Sequence, residues 1–73
     1  METTSVRAVR AELVTCLRAL NAGETMEEED LRTAVRVRNL PKTVEDDHFD
    51  LALSDAINDG DVERVGGRLR RSS

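Results

Sequence analysis

Apolar side chains recur along this chain in three runs with helical spacing. Val6, Val9, Leu13, Cys16, Leu17 and Leu20 follow an i, i+3, i+4 rhythm, which predicts one buried face of a helix over about residues 5–22. Thr4 or Ser5 is placed to cap its start, and Asn21-Ala22-Gly23 to close it, with Gly23 in the left-handed conformation that ends many helices. Leu31, Ala34 and Val35 form the stripe of a second helix over about 26–39. Its start, Thr25-Met26-Glu27-Glu28, fits a capping box in which Thr25 is the cap and Glu28 reaches back. Glu27, Glu28, Glu29 and Asp30 crowd its first turn, where the helix dipole favours anions, so this acidic run needs no partner to explain it. Pro41 disfavours helical geometry at Leu40 and stops the helix by Asn39, and Leu40 is expected to fold back onto the core. Phe49, Ala52, Leu53, Ala56 and Ile57 define a third helix over about 44–58, capped by Thr43 and ended by Gly60, with Leu51 off its apolar face.

The spacing then changes from helical to extended. Val62 to Val65 and Arg68 to Arg71 flank Gly66-Gly67, which predicts a hairpin over about 61–71 with a two-residue turn. Val65 should face Arg68, Arg64 should face Leu69, and Glu63 should face and pair with Arg70. Val62 and Leu69 share the inner face and seal the core. Arg70, Arg71, Ser72 and Ser73 read as a frayed polar tail. The expected core is Leu13, Leu17, Leu31, Val35, Phe49, Leu53, Ile57, Val62 and Leu69, with Cys16 on or beside the same stripe as a small hydrophobe.

Composition narrows the choices. The 73 residues make a single domain, 1–73, mainly α with a small β element. Such a chain buries only about 60% of its unfolded surface, so its aliphatic core has little stability to spare. A lone cysteine excludes an internal disulfide, and one Cys with one His cannot build a tetrahedral metal site. No cofactor is expected. The first twenty residues are broken by Arg7, Arg10, Glu12 and Arg18, so they are no secretory signal, and no apolar run is long enough to span a bilayer. A soluble, cytoplasmic protein with no membrane partner is expected. His48 stands beside Asp47 without a Ser or Cys at a spacing that would make a nucleophile pair, so an enzyme is not expected. The net charge is -4, and ten of the eleven basic residues are Arg.

Three helices, a glycine stop and a glycine-turned hairpin resemble the winged-helix family of helix-turn-helix domains. The resemblance rests on element order and on the stretch from Phe49 to Leu69, with Gly60, Gly66 and Gly67 as its punctuation. It implies a transcriptional regulator that binds double-stranded DNA, with the third helix in the major groove and the wing on phosphate or the minor groove. The charges divide that implication. From Thr43 to Asp61 there are seven acids and no base, whereas Val62 to Ser73 holds four Arg against one Glu. DNA contact is therefore expected through the wing, by Arg64, Arg68, Arg70 and Arg71, with Arg32, Arg36 and Lys42 in support. The alternative is an acidic protein-interaction module, in the manner of phage-encoded inhibitors and DNA mimics. It would offer Asp46, Asp47, Asp50 and Asp55 on the third helix to a basic protein. A long first helix beside a small core makes a homodimer through that helix a further expectation.

Overall fold

Ser5 caps the first helix: its Oγ accepts a hydrogen bond from the Ala8 backbone N–H at 3.2 Å. This geometry comes from a computed structural model, which describes residues 2–72. Met1 and Ser73, the two ends of the expected 1–73 domain, lie outside the described residues, and with Ser73 goes the end of the expected polar tail. The helix, α1 (Val6–Arg18), stops earlier than its apolar rhythm suggests. Residues 20–24 form a turn instead, in which Glu24 N–H donates to Asn21 O at 3.0 Å and Gly23 takes φ +86°. The turn lets the next residues run back along the sheet.

Those next residues correct the expected capping box. Met26 and Glu27 are not helical but form a short strand, β1 (Met26–Glu27), and Thr25 is not the cap. The second helix, α2 (Glu28–Asn39), starts two residues late, with Glu27 in the cap position and no side-chain cap bond. Main-chain pairing with the last strand holds Met26 and Glu27 extended instead. The third helix, α3 (Asp46–Asn58), also starts late, with Glu45 rather than Thr43 in the cap position. Thr43 is occupied elsewhere: its N–H donates to Glu2 O at 2.9 Å, and its carbonyl accepts from Thr4 N–H at 2.8 Å.

The hairpin follows its predicted register. β2 (Val62–Val65) pairs antiparallel with β3 (Arg68–Arg71), with Glu63 opposite Arg70, Arg64 opposite Leu69 and Val65 opposite Arg68. Gly66 and Gly67 both have positive φ, 55° and 81°, as a two-residue turn of this hand requires. β1 adds to the other side of β3, with Met26 opposite Leu69, so the sheet is three-stranded in the order β1-β3-β2 rather than a lone hairpin. Arg70 and Arg71 belong to β3, and Ser72 N–H donates to Asp61 O at 3.1 Å, so the described part of the expected tail is paired. Three helices and a small antiparallel sheet thus make a mainly α fold.

α1 packs on both α2 and α3, and the sheet closes the remaining side against α1 and α3. Leu13, Leu17, Leu31, Val35, Phe49, Leu53, Val62 and Leu69 are buried as expected, together with Val9, Val44, Ala52 and Ala56. Ile57 corrects the expectation: it is only partly buried, packed at the edge of the core. Leu40 corrects it more sharply, because it is 70% exposed instead of folded inward. The turn is anchored by Val44, two residues before α3, which takes the buried position expected of Leu40. Among the described residues no helix is long and apolar enough to cross a membrane.

Phe49 is the only aromatic residue and is fully buried. Phe49→Ala should cost about 3 to 5 kcal/mol, a large share of the stability of so small a domain. Urea or thermal unfolding followed by circular dichroism checks this, and a midpoint equal to that of the wild type would contradict the core assignment.

Candidate functional site

The charged residues are the natural candidates for function, and most of the cations are spent inside the molecule. Arg32 projects from α2 across the first turn of α3. Its side chain is only 13% exposed, and its guanidinium carbon sits 4.6 Å from the centroid of the Phe49 ring. Four carboxylates surround it: Asp46 at 3.0 Å, Asp50 at 3.3 Å, Glu28 at 3.4 Å and Glu29 at 3.6 Å. Burial opposes its charge, but the hydrogen bond to Asp46 and the charges of Asp50, Asp46 and Glu29 outweigh that and raise its pKa above the usual value. Its Nε makes no hydrogen bond. Arg36, one turn on, also pairs with Asp46. The expected DNA contacts Arg32 and Arg36 are therefore joints between α2 and α3.

The wing arginines have partners too. Arg64 reaches Glu28 at 3.2 Å, Arg70 reaches Glu63 at 3.1 Å, and Arg68 reaches Glu27 at 3.2 Å. Arg68 also donates to Thr25 Oγ1 at 2.7 Å and to the Thr25 carbonyl at 3.2 Å, which fastens β3 to the chain entering β1. These pairs are solvent-exposed, and such bridges contribute about 0 to 1 kcal/mol each. Their acids nonetheless sit on the same surface and cancel much of the wing's field. Among the described residues, Arg71 and Lys42 are the members of the expected set that form no ion pair. Three further pairs, Arg10 with Asp59 and with Asp61 and Arg38 with Glu12, bridge elements far apart in sequence. Helical spacing could not have revealed them.

The acids of α3 divide into two groups. Asp46 and Asp50 lean toward Arg32. Asp47 and Asp55 are exposed, and among the described residues neither has an ion-pair partner. Between them lies Leu51, four residues from each and 56% exposed. The helical spacing places all three on one outward stripe, opposite the buried Phe49, Ala52, Leu53 and Ala56. The outer face of α3 is thus a leucine flanked by two free carboxylates.

Neither remaining candidate side chain gathers a reactive site. His48 is half-buried rather than on the open helix surface, with Nδ1 3.0 Å from the Thr4 carbonyl, and so ties the N-terminal segment to α3. Cys16 is half-buried beside the core. Burial raises its thiol pKa, Glu12 adds to the rise and Arg38 works against it. Among the described residues no group of three or more His, Cys, Asp or Glu is placed to hold a metal ion.

A scan against protein-family models, a search of curated proteins and a search of solved structures each find no match to this chain.

Two outcomes follow from these environments. Arg32→Met keeps an apolar stem on Phe49 but leaves the carboxylates of two helices unneutralised, so it should destabilise the fold by about 1 to 3 kcal/mol at low salt. Much of that loss should be recovered in high salt, where the repulsion is screened; equal loss at low and high salt would show that the arginine acts by packing alone. For Cys16, the raised pKa predicts that native labelling by a thiol reagent rises at higher pH than labelling in denaturant. Coincident pH profiles would mean that the thiol is already free.

Proposed function

We propose that this domain is a protein-interaction module that docks a basic, partly apolar surface on the outer face of α3. One observation carries the reading: Leu51 stands exposed between Asp47 and Asp55, which have no ion pair among the described residues. Meanwhile Arg32, Arg36, Arg64, Arg68 and Arg70 are paired within the chain. An exposed leucine with carboxylates one turn on either side offers a partner apolar contact and charge at once. The element order, with a strand between the first two helices and a hairpin after the third, supports the winged-helix reading of the fold. In that reading α3 is the helix that would enter a DNA groove, and its free acids would meet phosphate there.

Arg71 favours the second reading, a winged-helix regulator that holds DNA through its wing. It carries no carboxylate partner among the described residues. Arg64, Arg68 and Arg70 could exchange their exposed partners for phosphate at little cost.

Two probes separate the readings: a fluorescent DNA duplex, and an amphipathic helical peptide of alternating Arg and Leu faces. At about 50 mM salt, where phosphate contacts are strong, the wild type should bind the peptide and not the duplex. Asp47→Asn with Asp55→Asn should weaken peptide binding about tenfold, in line with two lost charge contacts. Duplex binding by the wild type, strengthened by the same Asn changes and weakened by Arg68→Ala with Arg70→Ala, would replace the interaction reading with the regulator.

A further inference from the structure

We infer that the basic, apolar surface received by α3 is the α2–α3 turn of a second copy of this chain; the inference rests on the reading of α3 as a docking face. Four large hydrophobic residues are exposed among the described residues: Val37, Leu40, Leu51 and Val65. Two of them stand together at the turn. Val37 is 62% exposed, and Leu40, which caps the end of α2, is 70% exposed. Leu40, Pro41 and Val44 line an open groove of about 380 Å³, with Arg36, Lys42 and Thr43 completing its wall. Among the described residues Lys42 has no ion pair, and Arg36 is held only by the exposed Asp46. The groove is apolar at its floor and basic at its rim.

The outer stripe of α3 is its complement. Leu51 fits an apolar floor, while Asp47 and Asp55 lie about 6 Å along the helix on either side, within reach of Lys42 and Arg36. One such contact covers Leu40 and Leu51, the former from the groove and the latter from the helix, and brings the unpaired lysine to the unpaired carboxylates. A reciprocal twofold arrangement is disfavoured, because the turn leads directly into α3. Joining both contacts at once would lay the two α3 helices antiparallel and set Asp47 of one copy against Asp55 of the other. The contact is therefore head-to-tail, and it extends rather than closing at a dimer. A helix on a turn falls below about 1,200 Å² of buried surface, the range of transient associations. Self-association is thus assigned to α3 and the turn, not to the outer face of α1, where Val14 is the largest hydrophobe and is half-buried.

Sedimentation equilibrium of the full chain tests this, from about 10 µM to about 1 mM in about 50 mM salt. The weight-average mass should rise with concentration and pass that of a dimer without a plateau. Lys42→Glu alone, and Asp47→Lys with Asp55→Lys alone, should each return the mass to that of a monomer. An equimolar mixture of the two should associate again, because the unaltered groove of one meets the unaltered α3 stripe of the other. All substituted positions are exposed, and circular dichroism confirms that each variant keeps the fold. A wild type that stays monomeric throughout overturns the inference. If the Arg/Leu peptide still binds it, the docking face stands without the self-contact; if the peptide does not bind, both fail. A plateau at the dimer, or variants that associate as the wild type does, also overturns it.

Discussion

Two helices that otherwise touch sparsely are joined by a guanidinium laid over an aromatic ring, with a second arginine beside it. α1 packs on both α2 and α3, whereas α2 and α3 meet mainly where Arg32 lies over Phe49 and among the acids of both first turns. Each part of that arrangement depends on the others. Phe49 supplies a flat apolar face, and the stem and plane of the arginine cover it. The arginine in turn makes it tolerable to place Glu28, Glu29, Asp46 and Asp50 side by side. Glu28, Glu29 and Asp46 are where helix dipoles favour them, at the starts of α2 and α3, and Asp50 lies one turn further in; two such starts facing each other would repel without a cation between them. Glu28 extends the link to the sheet through Arg64.

This joint also decides which charges remain for the outside. It draws in Asp46 and Asp50 and leaves Asp47 and Asp55 facing solvent. The wing repeats the pattern on a smaller scale, with each of Arg64, Arg68 and Arg70 set against a glutamate from another strand or helix start. A count of basic residues in the last twelve positions therefore overstates the field that a polyanion would meet there. What an approaching molecule encounters depends on which side chains are left over after the fold has paired the rest.

Much of the fold was legible because it is written in local periodicity. The central apolar positions of the three helices, a cap at Thr4 or Ser5 and the Gly66-Gly67 turn each depend on neighbours within a few residues, and these hold, with Ser5 as the cap, while Leu20 and Ile57 at the ends of their stripes are only partly buried. What could not be read locally is where the chain pairs with itself at a distance. Thr25 and Thr43 both had good capping chemistry, yet one lies beside β1 and the other pairs with the N-terminal segment, because main-chain partners arrive from remote positions. Leu40 failed for a related reason: Val44 took the buried place in the turn. The site shows the same division. The acidic face of α3 with Leu51 off the core stripe follows from spacing, but the loss of Arg32, Arg36 and the wing arginines to intramolecular pairs does not. Those pairs join residues as much as 41 positions apart, as between Glu27 and Arg68.

The middle strand of the sheet is also the last of the described elements in chain order. β3 carries Leu69 into the core and supplies the partner for β1 on one side and β2 on the other. During synthesis on a ribosome, α1, β1, α2 and α3 all emerge before it and cannot close their shared core. The earlier elements must wait with Leu13, Leu17 and Phe49 incompletely covered, a state in which a nascent chain is open to chaperones and proteases. Closure of the shared core thus waits on four residues, which pair with the strands on both of their sides.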